Sequence, residues 1–154
     1  MTRACCDVLK RLRGKTLVTA ESCTGGGIGA ALTAIPGSSE VYKGGIISYT
    51  NWVKEHVLGV DARLLETHGA VSKEVAEAMA KGAAKVLKAD IAVSVTGLAG
   101  PGGDEFGNPV GTVYIGYHDE KRTLVKHCLF SGSREEVRQQ TIETALKLIL
   151  EQNQ

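Results

Sequence analysis

Between Leu17 and Ile35 an apolar, β-branched run gives way to Ser22-Cys23-Thr24, three consecutive glycines, and then apolar residues at helical spacing. Leu17-Val18-Thr19-Ala20 reads as a buried strand. Ile28, Ala31, Leu32 and Ile35 read as one face of a helix that Pro36-Gly37 stops. A strand that passes through a polar glycine turn into a helix points to parallel pairing, with helices laid on the sheet faces. The turn also places a serine hydroxyl where ligands enter an open α/β sheet, beside backbone N–H groups at the positive end of a helix dipole. Two uses of this turn stay open. Either Ser22 or Thr24 caps the helix while the glycines let helix and strand approach closely, or the hydroxyl belongs to a site.

The rest of the chain repeats the alternation. A helix over 3–13 carries Cys5, Val8, Leu9 and Leu12 on one face, and strands are expected over 16–20 and 43–50. The glycine-started helix is expected over 24–35. Asn51 can cap a helix containing Trp52, Val53 and Val57, with Gly59 as its stop. A short helical piece over 61–68 precedes a Ser72-capped helix whose Val75, Met79, Ala83, Val86 and Leu87 face inward. Residues 90–96 alternate as a strand and run into a long loop over 97–109, a length that usually marks function. Strands over 110–117 and 122–130 form a hairpin. Ser133 with Glu136 makes a capping box for a last helix, with Val137, Thr141, Ala145, Leu148 and Ile149 inward. This order predicts one domain over 1–154, a three-layer α/β/α sandwich on a mixed, mostly parallel sheet.

Composition narrows the function. A net charge of +1 gives no electrostatic reason to expect nucleic acid or an anionic membrane. No apolar run approaches the ~20 residues that span a bilayer, and the first residues lack the apolar core of a signal peptide. The four cysteines, Cys5, Cys6, Cys23 and Cys128, are scattered without metal-ligand spacing. A cytoplasmic, reduced protein without a metal is expected.

Three strand ends present polar groups: Ser22, Tyr49 and Thr96-Gly97. If these strands are parallel neighbours, the ends converge on one crevice. Lys54 lies in the first turn of the next helix, where the dipole disfavours its charged form. It is either a solvated surface lysine or a base for the serine, whose hydroxyl is a poor nucleophile unaided. Tyr49 could relay the proton, hold Lys54, or bury its ring in the core. The turns after Ser22 and at Thr96-Gly97 can supply N–H donors to an oxyanion. Gly25-x-Gly27-x-x-Ala30 loosely fits a dinucleotide fingerprint, but the acid expected at the end of the following strand is missing. A bare helix start at Thr24, Gly25 and Gly26 still suits one phosphate. Arg134 and Arg138 open the last helix and either clamp an anion or lie on the surface.

Thr19-Ala20-Glu21-Ser22-Cys23-Thr24-Gly25-Gly26, Pro36-Gly37-Ser38-Ser39, and Tyr49 with Lys54 together resemble the CinA C-terminal domain family. So do His68-Gly69-Ala70-Val71-Ser72, Thr96-Gly97-x-Ala99-Gly100-Pro101-x-Gly103 and Pro109-Val110-Gly111-Thr112-Val113, in the same order over about residues 7–150. Many members carry this domain behind a larger N-terminal one, and the present chain reads as the stand-alone form. The resemblance implies an amidohydrolase acting on nicotinamide mononucleotide, a three-layer α/β/α fold and a homodimer. It implies Ser22 as nucleophile, Lys54 as its base and Tyr49 as a hydrogen-bonding partner or proton relay. Thr96 and Gly97 would line the carboxamide site, and Arg134 or Arg138 would meet the phosphate. No cofactor is implied. The rival readings are a non-catalytic nucleotide-binding or regulatory module and an NAD-dependent oxidoreductase.

Overall fold

The computed structural model describes residues 1–154. Strands β1 (Leu17–Glu21) and β3 (Ile91–Gly97) form the centre of a five-stranded sheet. They are flanked by β2 (Tyr42–Ile47) on one side and by β4 (Thr112–His118), then β5 (Thr123–Leu129), on the other. Every residue of β1 is buried, and β3 is buried up to its last residue, so both strands need cover on both faces. Helices α1 (Thr2–Arg11), α2 (Gly27–Thr33) and α6 (Arg134–Gln152) cover one face. Helix α5 (Lys73–Leu87) covers the other, preceded by the short α3 (Asn51–His56) and α4 (Ala62–His68). Successive residues of β1 divide accordingly: Leu17 joins the core under α1, α2 and α6, while Val18 and Ala20 join the core under α5.

The three-layer sandwich on a mixed sheet is therefore the observed fold. The pairings divide evenly: β1 runs parallel to β2 and β3, while β3–β4 and β4–β5 are antiparallel. Dominance of parallel pairing holds only for the half of the sheet that carries Ser22, because the late hairpin contributes as many pairs as the crossovers do. Two boundaries also move. Helix α2 begins at Gly27 rather than at residue 24, since Gly26 takes a left-handed φ of 98° as its N-cap. Thr50, not Asn51, caps α3, its hydroxyl accepting from the Val53 amide. The Ser133–Glu136 capping box forms as read. Val86 is 49% exposed rather than inward, since the fully buried core beneath α5 ends at Ala83 and Ala84.

Register places the site. Glu21 lies level with Ile47 on β2 and with Val95 on β3, so the chain leaves β1 and β2 at one height. It then turns to α2 on one face and to α3–α5 on the opposite face. Such a divergence opens a crevice at the carboxyl ends of the strands.

Small residues let α5 lie close to the sheet and to the α3–α4 turn. The Ser94 hydroxyl donates to the Ala76 carbonyl at 2.6 Å, and a Cβ on Gly82 would run into the carbonyl of Leu58. Gly82→Ala is expected to lower the unfolding free energy by about 1–3 kcal/mol, because the clash outweighs the ~1 kcal/mol gain in helix propensity. Urea denaturation checks this. A midpoint that rises, with unchanged slope, would mean that the helix does not lie this close.

Candidate active site

Ser22 is the first residue past β1, and its amide donates to the Val95 carbonyl at 3.1 Å, which fixes it above the neighbouring strand. Lys54, from the short α3, reaches back beneath it and is only 1% exposed. Its Nζ lies 3.1 Å from Ser22 Oγ, 2.7 Å from the Ser48 carbonyl and 3.4 Å from the Tyr49 carbonyl. Two of these three neighbours can only accept. A neutral amine has two N–H donors and one lone pair, so giving its donors to the carbonyls leaves the lone pair for the Ser22 hydroxyl. None of the chain's ion pairs includes Lys54. Burial lowers its pKa from 10.5 to about 8. The surface-lysine alternative is excluded by the same exposure. Ser48 lends Lys54 its carbonyl, while its own hydroxyl is the one buried side-chain polar atom without a partner.

Glu21 is the residue the sequence reading passed over. It is 2% exposed, and its carboxylate accepts four hydrogen bonds. Oε1 takes the Thr24 hydroxyl at 2.7 Å and the Ile28 amide at 2.8 Å, while Oε2 takes the Gly29 amide and the Thr19 hydroxyl, both at 3.1 Å. The start of α2 is therefore already filled by an internal anion. A phosphate cannot use those amides while Glu21 does, and a dinucleotide pyrophosphate, which needs the same donors, cannot either. The signal was present in the sequence as a carboxylate at the strand end, two residues after Thr19 and three before Thr24.

The crevice has a volume of ≈ 430 Å³. Of the residues expected at a site, Ser22, Tyr49, Lys54, Thr96, Gly97 and Arg134 line it, and Thr24, Gly25, Gly26 and Arg138 do not. Thr24 is fully buried against Glu21, and Arg138 donates through Nε and Nη2 to the Cys23 and Thr24 carbonyls, each at 3.0 Å. The Tyr49 ring is 57% exposed, not in the core, and its hydroxyl accepts from Arg134 Nη2 at 3.1 Å. Tyr49 thus touches Lys54 through its carbonyl and Arg134 through its hydroxyl. Arg134 also donates to the Gly100 carbonyl at 2.7 Å, which ties α6 to the long loop. The Thr96 hydroxyl is spent on the Ala70 carbonyl at 2.8 Å.

Asn51 and Cys23, which the sequence did not assign to a site, lie at this wall, together with residues 98–103 of the long loop expected to be functional. Asp104 braces that loop by accepting from the Phe106 and Asn108 amides and from Asn108 Nδ2. No histidine lines the crevice; His56 stacks on Trp52, and His127 on Tyr114. A larger cavity of ≈ 540 Å³ opens around Asp90, His118 and Arg122, among charged surface groups and without a serine or cysteine beside a base.

A family model described as the CinA C-terminal domain matches residues 2–153. A CinA-like protein of Endomicrobium trichonymphae is 49% identical over 135 residues, 88% of this chain and 32% of that protein. A CinA-like protein of Desulfotalea psychrophila is 49% identical over 137 residues, 89% of this chain and 33% of that protein. The chain thus spans about a third of the length of these curated relatives. Among solved structures, the competence/damage inducible protein CihA of Agrobacterium tumefaciens superposes with a TM-score of 0.96 at 39% identity, covering 99% of this chain and 95% of that one. The competence damage-inducible protein A of Klebsiella pneumoniae superposes with a TM-score of 0.95 at 37% identity, covering 97% and 94%.

A buried amine with this pKa has a direct signature. In an NMR titration of the lysine side chains, the Lys54 signals should turn over near pH 8, with about a tenth of the amine free at pH 7. A Lys54 midpoint above 10 would mean that the amine is solvated and cannot serve as a base near neutrality.

Proposed function

Because the chain belongs to the CinA C-terminal domain family, we propose that it is an amidohydrolase converting nicotinamide mononucleotide to nicotinate mononucleotide and ammonia. The observation that carries this reading is the 3.1 Å contact between Ser22 Oγ and a Lys54 amine whose burial makes it a base near neutral pH.

The steps follow from the atoms present. Lys54, as the free amine, takes the Ser22 proton while Oγ bonds to the carboxamide carbon. The carbonyl oxygen gains the displaced electron pair and becomes an oxyanion. Cys23 lines the crevice beside Ser22, and no backbone carbonyl takes its amide, so this N–H is the donor assigned to that oxygen. The Lys54 ammonium then gives its proton to the departing nitrogen, the C–N bond breaks and ammonia leaves. Water attacks the nicotinoyl ester with Lys54 again as base, which frees the acid and restores the Ser22 hydroxyl. No step calls for a metal or an organic cofactor.

Arg134, exposed at the mouth, is the group assigned to the ribose phosphate, with Tyr49 holding it in place. Thr96 and Gly97 form the carboxamide wall. The same reading takes the working form as a cytoplasmic homodimer acting on a small nucleotide. The net charge is +1, and no helix is long and apolar enough to cross a membrane.

Ammonia release from nicotinamide mononucleotide tests the proposal. Ser22→Ala should lose at least about 1,000-fold in kcat while keeping its circular dichroism and melting temperature. For the unaltered chain, kcat/KM should rise about tenfold per pH unit and level off near pH 8, and Lys54→Met should abolish that rise. Tight binding of the nucleotide without ammonia release would instead identify a non-catalytic module.

A further inference from the structure

The ladder between β1 and β3 stops one rung short at the site. Along β3 successive residues turn their backbone groups to opposite neighbours. Leu98, just past the strand, donates to the Thr112 carbonyl at 2.9 Å, so Thr96 also faces β4 while Val95 and Gly97 face β1. The bonds on the β1 side agree: the Ile91 amide donates to the Thr16 carbonyl at 3.0 Å, and the Ser22 amide donates to the Val95 carbonyl at 3.1 Å. In this register the next bond runs from the Gly97 amide to the Ser22 carbonyl. It is not made, because that carbonyl turns to the Gly25 amide at 3.0 Å. Gly25 closes this turn with a left-handed φ of 57°, which a residue with a side chain rarely adopts. The half-buried Gly97 thus keeps an N–H aimed at the Ser22 end of β1, and no carbonyl takes it.

The place that the Ser22 carbonyl leaves lies between Ser22 and Gly97, and both residues line the crevice, as Cys23 does. An oxygen on the carbon that Ser22 attacks can fill it. We propose that the Gly97 N–H is a second oxyanion donor, joining that of Cys23 at the carboxyl end of β1. The inference rests on the amidohydrolase reading above and adds a donor from the neighbouring strand. A strand amide suits this task, because the sheet holds it in place before the charge develops. The absence of a side chain at Gly97 has a separate cause: a Cβ there would lie 2.6 Å from Val113 Cγ2 and 2.8 Å from the Thr112 carbonyl.

Since any side chain at this position would clash with β4, the test removes the N–H alone. Gly97→glycolate, in the full chain, exchanges it for an ester oxygen. For ammonia release from nicotinamide mononucleotide, kcat should fall about 100-fold with KM unchanged. The pH at which kcat/KM levels off should stay near 8, since Lys54 is untouched. An ester chain as fast as the unaltered one overturns the inference, and so does a slow one whose levelling-off pH has moved. A second measurement keeps the native backbone and needs no turnover. A fluorophosphonate on Ser22 sets a phosphoryl oxygen where the oxyanion would form. In the isotope-labelled protein the amide protons of Gly97 and Cys23 should then both move downfield and exchange more slowly with solvent. A Gly97 signal that stays in place while that of Cys23 moves overturns the inference. A chain that labels but releases no ammonia loses the substrate assignment, and the Gly97 signal then decides alone. A chain that does not label at Ser22 has no nucleophile there, and both readings fall.

Discussion

One buried carboxylate holds the strand, the Ser22 turn and the helix of this site in a single arrangement. Glu21 meets no cation in the structure; a side chain on each side of the turn and two first-turn amides of α2 surround it. Hydrogen bonds to a charged group contribute about 1.5–3 kcal/mol each, and the positive end of the helix adds to them. Four such contacts are what a carboxylate at 2% exposure needs in place of water. Their geometry then constrains the neighbours. With Thr24 drawn inward and the helix start occupied, Ser22 is the polar side chain of the turn left facing the crevice.

The same arrangement keeps the lysine chemically available. Glu21 and Lys54 are both buried close to Ser22, and a direct ion pair between them would hold the amine protonated. The helix amides draw the carboxylate away instead. Lys54 is left with two carbonyls, one hydroxyl and no counter-ion, and burial alone lowers its pKa. Cys23 stands beside it, and burial pushes its thiol up to about 11, which keeps it protonated and inert near neutral pH. The low pKa of Lys54 thus goes with the site's only buried anion being held elsewhere.

These assignments were unequally legible in the sequence. The elements could be read because hydrophobic spacing, glycine stops and the Ser133–Glu136 box are local signals. The Ser22–Lys54 pairing could be suspected from strand ends that converge, a consequence of parallel topology. What could not be read was where shared hydrogen-bond donors go. Three glycines after a serine look like an open anion site, and only the fold reveals that Glu21 has filled it. Arg134 and Arg138, one helical turn apart, are equivalent as letters. The packing of α6 sends one to the rim and the other to two backbone carbonyls. Asn51 reads as a cap because caps and site residues share the same chemistry, and Thr50, one position earlier, takes that role.

The division between floor and rim follows from which groups are backbone-anchored. Ser22 and Lys54 are buried and held by main-chain atoms of β1, β3 and the end of β2, so their separation is set by sheet register rather than by side-chain choice. Tyr49 and Arg134 are exposed and hold each other and the Gly100 carbonyl, contacts that an incoming anion can replace without disturbing the sheet. Rigid floor and exchangeable rim suit different tasks. The reacting atoms must stay within tenths of an ångström, which register supplies, whereas charge recognition at a solvated mouth tolerates rearrangement. It follows that changes at the rim should redistribute preference among ligands of one chemistry, while changes in the register of β1 against β2 and β3 would remove the chemistry itself.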